Sequence, residues 1–327
     1  MTLGAVAARP GPLAEVVSVR DLPAQRTLGD HEVIVRMTSA ALNPSDEITV
    51  SGAYGSRTRF PLVPGFEGVG EVVHAGRLVP PSALGARVLP IGSAGTWQEL
   101  RTVEHPWCVP VPESLDDTSG CFAYVNPLTA VLLVDRYSSP PVREVVVTAA
   151  TSTVAGHLAE LLALRGIHAV GLHRRQPGWT DSRAAPWKAL VSTQDSSWAD
   201  QVRAATGGRG VDVVLDCVGG TVGDRLVPML RPGGVLVLYG LLSGVPLAGR
   251  SLVPQDGRHV EMFRLRDTVH TVPRLALPAL FAPVFEHLDA GRLRTEVTRR
   301  VALSDLPDAF RAGLHADAGA VEILTAP

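Results

Sequence analysis

The sequence predicts an α/β protein of two domains, a small barrel-like β domain and a doubly wound parallel sheet, and three observations carry that prediction. Residues 1 to about 120 are rich in Gly, Pro and short β-branched runs, the texture of short strands punctuated by turns. From about 124 the texture changes to a strand-like Val145–Val147, then TVAGHLAELLALRG, then HAVGLH. A strand, helix, strand unit needs a crossover and implies parallel pairing. Finally, GVDVVLDCVGG and GGVLVLYGLL are apolar runs long enough for strands buried on two faces. A length of 327 residues suits two domains of roughly 100 to 200 residues each.

Each element follows from its own pattern. EVIVRMTSAALN, GVGEVVHAG, ARVLPIG and WQELRTVEHPWCVPVP read as the strands of the first domain. In the second, Val154, Leu158, Leu161 and Leu162 recur near helical spacing. TVGDRLVPMLRPG reads as a helix closed by Pro232 and Gly233. After about 265 come a helix (ALPALFAPVFEHLDAG), a strand (RTEVTRRVAL) and a helix capped by Ser304 with Asp305 and Pro307 behind it. The tail is expected to return to the first domain. The expected boundaries are therefore 1–123 with 267–327 for one domain and 124–266 for the other. No internal repeat is visible.

Composition removes several functions. Hydrophobic residues make up 46% and charged residues 19% of the chain, as in soluble globular enzymes. Thirty Lys and Arg against 32 Asp and Glu leave no basic excess for a phosphate backbone or an anionic membrane, so neither nucleic acid nor membrane is an expected partner. No run approaches the roughly 18 apolar residues of a membrane span, and the N-terminus lacks a signal-peptide pattern. Cys108, Cys121 and Cys217 are the only cysteines and form no CxxC, which fits a reducing cytoplasm better than a disulfide framework. Lys188 is the single lysine, so a Schiff-base mechanism would have only that residue. A catalytic zinc needs about three N, S or carboxylate ligands and a structural zinc usually four clustered thiolates; three dispersed cysteines cannot supply the latter, and no metal is expected.

A strand that ends in a tight small-residue loop and opens a helix aims backbone N–H groups and the helix dipole at an anion. The loop Thr148-Ala149-Ala150-Thr151-Ser152-Thr153-Val154-Ala155-Gly156 has that context without the usual glycines. Thr151, Ser152, Thr153 and Val154 are the candidate pyrophosphate ligands, and a plain helix cap by Thr151 or Ser152 is the competing account. At the end of the second strand stands His173-Arg174-Arg175. An NAD site wants an acid there; two guanidiniums suit the extra phosphate of NADPH, although a solvated arginine pair would look the same. Cys217, Val218 and Gly219 end one strand, and Tyr239 and Gly240 the next, at the carboxyl edge where cofactors lie in such sheets. Cys217 reads as a packing residue, since no neighbouring cation lowers its pKa. The GGVLVLYG strand with LLSGVPL behind it offers a sheet edge that needs covering.

Several motifs carry a resemblance. Asn43-Pro44-Ser45-Asp46, the turn Pro64-Gly65-Phe66-Glu67-Gly68-Val69-Gly70-Glu71-Val72, Gly52-Ala53-Tyr54, Gly95-Thr96-Trp97 and, most specifically, Val125-Asn126-Pro127-Leu128-Thr129-Ala130 resemble the zinc-independent medium-chain dehydrogenase/reductases. Within them the likeness is to the trans-2-enoyl thioester reductase and quinone oxidoreductase branch, over nearly the whole chain. Asn43 and Phe66 stand where the zinc-binding relatives carry ligands. The resemblance implies a GroES-like catalytic domain, a Rossmann cofactor domain and a homodimer. It implies NADPH-dependent hydride transfer to the β-carbon of an α,β-unsaturated thioester or related activated alkene. Tyr54, Asn126 and Trp97 are its catalytic candidates, while Asn43, Asp46, Thr129, Phe263 and Leu265 join the cofactor set.

Alternatives remain at each position. Tyr54 in a Gly-rich loop also suits a surface lid, Asn126 an N-cap, and Asn43 with Asp46 an Asx turn before Pro44. His74, His105 and His157 lack partner motifs and read as structural. Arg57, Arg59 and Arg101 are conceivable contacts for a coenzyme A substrate. A quinone or enone oxidoreductase would share the dinucleotide site, and an NADPH-binding sensor without catalysis would explain the missing loop glycines.

Overall fold

A computed structural model describes residues 2–23, 27–53, 55, 58–180, 185–316 and 319–325. It divides into two compact units, residues 1–125 with 266–327 and residues 126–265.

The first unit opens with β1 (Thr2–Ala7), the short α1 (Leu13–Val16), β2 (Val17–Leu22), β3 (Glu32–Leu42), α2 (Pro44–Val50) and β4 (Gly68–Ala75). It continues with β5 (Arg87–Pro90), β6 (Leu100–Glu104), β7 (Cys108–Pro110), α3 (Asp117–Cys121) and the first residue of α4 (Val125–Tyr137). The second unit holds β8 (Val145–Val147), α5 (Thr153–Ala163), β9 (Val170–His173), β10 (Ala189–Ser192), α6 (Trp198–Ala205), β11 (Val211–Asp216), α7 (Gly220–Leu226), β12 (Leu230–Leu238) and β13 (His259–Met262). The chain then contributes α8 (Leu265–Thr271), α9 (Leu277–Asp289), β14 (Val297–Ala302), α10 (Leu306–Arg311) and β15 (Ala320–Leu324).

In the first unit β1 and β2 form a hairpin, and a seven-stranded sheet runs β14-β15-β3-β4-β5-β7 with β6 also paired to β3. β3 alternates buried and half-buried positions, then is buried throughout over Ala40–Leu42. One cluster packs Val33, Val35 and Met37 of β3 against Val72, Val88 and Val103. A second gathers Leu42, Val50, Trp97, Leu306, Phe310 and Ile323. The C-terminal strand β15 pairs antiparallel with β3, Val321 opposite Leu42.

The second unit is a six-stranded, all-parallel sheet ordered β10-β9-β8-β11-β12-β13. Strand order reverses between β8 and β11, the topology of a Rossmann domain, and that switch point opens a crevice at the strands' carboxyl ends. β8, β9 and β11 are buried at every residue, which is why they read as unbroken apolar runs rather than alternating ones.

Three sequence expectations change. The helix after Gly219 ends at Leu226, and β12 already begins at Leu230, so Pro232 and Gly233 lie inside the strand segment. Pro228 sits in a 3₁₀ turn between them, where a missing N–H costs little. The C-terminal helix starts at Leu306 behind Asp305 rather than at a Ser304 cap, because Leu303–Asp305 forms its own 3₁₀ turn. Finally, β12 is internal, and the sheet edge is β13.

Candidate functional site: a dinucleotide crevice and a buried carboxylate clamp

The loop after β8 is built to lie close to the sheet. Ala149 takes the left-handed conformation, φ +51°, which glycine adopts freely and alanine at a cost of roughly 1–2 kcal/mol. The N–H of Ala150 donates to Leu172 O at 2.7 Å, drawing its fully buried side chain onto β9. The room comes from the facing strand, since a Cβ on Gly171 would stand 2.9 Å from Ala150 Cβ and from Trp187. The small residue wanted for close approach is therefore found on β9 instead of in the loop. Ser152 caps α5, its hydroxyl accepting from Ala155 N at 3.3 Å, so the cap account is correct for this side chain. Thr151, Thr153 and Val154 are exposed or half-exposed around it. The first N–H groups of α5 have no acceptor within the helix, and they stand at the positive end of its dipole.

A polar knot fixes this edge of the sheet. Asp216, fully buried at the end of β11, accepts from Thr148 Oγ1 at 2.8 Å, Val218 N at 2.8 Å and Gly219 N at 3.1 Å. Thr148 Oγ1 in turn accepts from Cys217 N at 3.0 Å. Burial raises the Asp216 carboxyl above its usual range against these three donors. Burial also pushes the Cys217 thiol up to about 11, so it is an inert packing residue. Tyr239 follows β12 beside it, its phenol fully buried and pushed well above its usual pKa by burial and by the neighbouring Cys217 thiol. Gly240 lets β12 and β11 converge, because a Cβ there would meet Cys217 Cβ at 2.9 Å. Phe263 is buried and its N–H donates to Leu238 O at 2.9 Å, with half-buried Leu265 two residues on. Thr129 is buried within α4.

At the end of β9, His173 is buried and its Nδ1 accepts from Arg175 N at 3.1 Å, which leaves the ring proton on Nε2. Burial lowers its pKa, keeping the ring neutral. Arg174 and Arg175 are exposed, and no carboxylate among the described residues pairs with either. Helix start, acid-free strand end and glycine-floored edge together fit a phosphorylated dinucleotide.

In the first unit the NPSD motif turns inward. Asn43 caps α2, and Asp46 reaches back to accept from Asn43 N at 2.8 Å and from Phe66 N at 3.1 Å, a capping-box contact. Asn43 Nδ2 donates to Glu67 Oε2 at 2.8 Å, and Glu67 Oε1 accepts from Tyr124 N at 2.8 Å and Val125 N at 2.7 Å. Asp46 is fully buried and Glu67 nearly so. The polar groups of Asn43 and Asp46 named here hold the turn and, through Glu67, the start of α4. Glu67 was missed as a candidate because its partners lie 24 and 57 residues away in sequence; the PGFEG turn that carries it was the only local signal.

Trp97, a catalytic candidate by its motif, lies in the core. It is wholly buried, donates from Nε1 to Ala41 O at 3.0 Å and packs on Phe310, so it supports the core. Asn126 lies inside the first turn of α4 rather than at its cap, with Pro127 next to it, where a missing N–H is tolerated. Arg101 is buried, donating to Pro90 O at 2.6 Å and Ser93 O at 2.8 Å; it cannot reach a coenzyme. Arg59 is exposed. Tyr54 and Arg57 lie outside the described residues. Lys188 pairs with Glu144 at 2.7 Å, and His157 is buried on α5. Among the described residues no group of three or more His, Cys, Asp or Glu is placed to hold a metal ion.

A paired fold of this kind, GroES-like sheet and Rossmann sheet, defines a class of nucleotide-dependent oxidoreductases, and comparison with known proteins agrees. Residues 29–113 match the alcohol dehydrogenase GroES-like domain and residues 188–313 the zinc-binding dehydrogenase domain. The chain is 32% identical to the mitochondrial enoyl-[acyl-carrier-protein] reductase of Arabidopsis thaliana over 67% of its length and 60% of the relative's. It is 30% identical to the Bos taurus enzyme of the same name over 72% of its own length and 65% of the relative's. The matched stretch thus spans less than two thirds of either relative. A structure described as an NADPH:quinone reductase from Bacillus thuringiensis superposes with a TM-score of 0.91 at 28% identity, covering 99% of both chains. The chain belongs to the medium-chain dehydrogenase/reductases, and these relatives are enoyl reductases and a quinone reductase.

The carboxylate clamp gives a pH signature. Burial holds Glu67 up at about 7 and Asp46 up at about 8, the N–H donors opposing it only in part. The folded chain therefore binds these protons more tightly than the unfolded one. The stability this contributes is full below the unfolded values of 4.5 and 3.8 and is lost as pH rises from there to about 7 for Glu67 and about 8 for Asp46. Urea midpoints measured across that range should fall, and Asp46→Asn should flatten the upper part of the decline. Midpoints that rise with pH would contradict this.

Proposed function

We propose that the chain is an NADPH-dependent reductase that delivers hydride to the β-carbon of a 2-enoyl thioester or a related activated alkene. The observation that carries the cofactor choice is the end of β9, where a neutral buried His173 and two exposed arginines stand in place of an acid. Guanidiniums hold a 2′-phosphate by paired, charge-assisted hydrogen bonds, and an acid there would repel it. The substrate class rests on the enoyl reductase relatives.

Bound NADPH would supply the hydride. The chain's own residues do the rest. The start of α5 and the loop 149–153 would bind the pyrophosphate, Thr148 and Asp216 keep that loop's anchor rigid, and Tyr239, Gly240 and the Cys217–Gly219 turn would face the nicotinamide end. Reduction at the β-carbon leaves an enolate that needs a proton at the α-carbon. Tyr54 is assigned as its donor and Asn126 as a hydrogen-bond partner of the thioester oxygen, following the motifs they occupy. Asn43, Asp46 and Glu67 act at a distance, by holding the start of α4 through the N–H of Val125.

The Bacillus thuringiensis structure favours a second reading, reduction of quinones or enones on the same dinucleotide site. We further assign the protein to the cytoplasm, with no nucleic-acid or membrane partner; no helix among the described residues is long and apolar enough to cross a membrane. A homodimer through the edge strand β13 is part of the same reading. Met262 on that strand is 72% exposed, and an unpaired edge with apolar side chains calls for cover. Sedimentation equilibrium decides it, a monomer mass being the contrary result.

With NADPH and crotonyl-CoA, nicotinamide absorbance should fall, and a simple quinone should be the poorer acceptor. Activity on the quinone alone would select the second reading. Replacing Arg174 and Arg175 together by Ala should raise the KM for NADPH by roughly 10-fold or more, since each charge-assisted hydrogen bond is worth about 1.5–3 kcal/mol, and leave that for NADH unchanged. Equal effects on both cofactors would remove the arginines from phosphate recognition. Tyr54→Phe should lower kcat by about 10² to 10⁴ while NADPH still binds with wild-type affinity; an unchanged kcat would exclude Tyr54 as the proton donor.

A further inference from the structure

We propose that Glu322, on the C-terminal strand β15, is a positioning residue for the substrate site: it holds α3, and through α3 the entry to α4 that carries Asn126. The inference rests on the assignment of Asn126 to the thioester oxygen and extends it to a carboxylate that belongs to no motif.

β15 is buried from Ala320 to Ile323, and Glu322 within it is 1% exposed. A carboxylate so placed is tolerable only when donors match its oxygens. Three donors do. Oε1 accepts from Ser39 Oγ on β3 at 2.8 Å, and Oε2 from Arg300 Nε on β14 at 2.8 Å; Arg300 stands directly opposite in the β14–β15 register. The hydroxyl of Thr118, on α3, is shared between the two oxygens at 3.0 and 3.2 Å. One buried side chain therefore joins three strands to one helix.

The helix needs that tether. α3 has five residues, too few to be stable by itself. Packing secures one side, where a Cβ on Gly120 would stand 3.4 Å from Val69 of β4. On another side a cavity of about 400 Å³ lies between Thr118, Ser119 and Phe122 and the facing Leu288 and Leu293. The Arg87–Asp117 ion pair at 2.7 Å also grips α3, but both side chains are partly exposed, and such pairs contribute little. Glu322 is the buried tether at the start of α3, and Glu67 holds the backbone beyond its end through the N–H groups of Tyr124 and Val125. Cys121 lies between the two carboxylates, its thiol pushed well above the usual range by burial and then by Glu67 and Glu322. A segment fixed at 118 and again at 124–125 cannot slide along its own axis, and Asn126 follows directly.

Amide hydrogen exchange and steady-state kinetics with NADPH and crotonyl-CoA, both on the full chain, test this. Thr118→Val removes the hydroxyl and little else. It should speed exchange over residues 122–126 and lower kcat by roughly 10- to 100-fold, the scale of a misplacement of about 1 Å, with the KM for NADPH unchanged. Thr118→Ser keeps the hydroxyl and should restore both readouts. Glu322→Gln should act in the same direction as Thr118→Val, because it sets an N–H donor against a hydroxyl or a guanidinium. A staple of the fold without a positioning role would lower the urea midpoint and leave the kcat of the folded protein untouched; that result for Thr118→Val overturns the inference, as does faster exchange with no loss of kcat. Wild-type protein that reduces no conjugated acceptor would instead overturn the reading of Asn126 on which the inference stands, while exchange over 122–126 still reports whether the tether reaches α4.

Discussion

A single buried carboxylate organises the crevice. Asp216 ends the central strand β11 and gathers the hydroxyl of Thr148 and the N–H groups of Val218 and Gly219. It thereby ties the carboxyl ends of β8 and β11 together at the point where strand order reverses. Removing its partners would leave a charge or a polar group buried without compensation, an expensive arrangement, so the knot closes fully or not at all. Because Thr148 is immobilised, the strained Ala149 and the sheet-hugging Ala150 follow in a fixed path, and α5 starts where its dipole can meet an anion. The first unit uses the same device. Glu67 and Asp46 hold the Asn43 turn and the backbone of residues 124–125, which fixes where α4 begins. In both units a carboxylate that does no chemistry sets the backbone for residues that would.

The missing glycines of the phosphate loop have a simple resolution in this light. A close approach between two backbones needs one small partner, and either side can supply it. Here Gly171 on β9 makes room for Ala150, while Ala149 accepts the left-handed conformation that a glycine would have taken without strain. A loop motif alone therefore underestimates such a site, since half of the geometric requirement is met 21 residues downstream.

Much of the fold was legible because its signals are local. The apolar runs at 145–147, 170–173 and 211–216 are strands buried on both faces, and the Leu158, Leu161 and Leu162 stripe is buried on α5. The alternation of strand and helix was enough to give the parallel sheet. Boundaries failed where two rules competed: Pro232 and Gly233 look like a helix stop but stand within a strand whose first residues pair irregularly with β11. In the candidate site, Cys217–Gly219 and Tyr239–Gly240 do follow β11 and β12, because topology alone puts them there. The inward turn of Trp97, Asp46 and Arg101 was not legible for one reason. Each is a polar or aromatic group in a motif-rich stretch, and only three-dimensional packing tells that its polar atoms are already committed inside the unit. Glu67 escaped for the converse reason, its contacts being made across segments that carry no periodic signal.

The central claim is that hydride from a phosphorylated nicotinamide reaches the β-carbon of a conjugated acceptor. Following the label from NADPH deuterated at C4 of the nicotinamide into the saturated product of crotonyl-CoA tests it most directly. The account predicts one deuterium at the β-carbon, read by NMR, with the α-hydrogen drawn from solvent. Deuterium at the α-carbon, or a product reduced without any label, would contradict it.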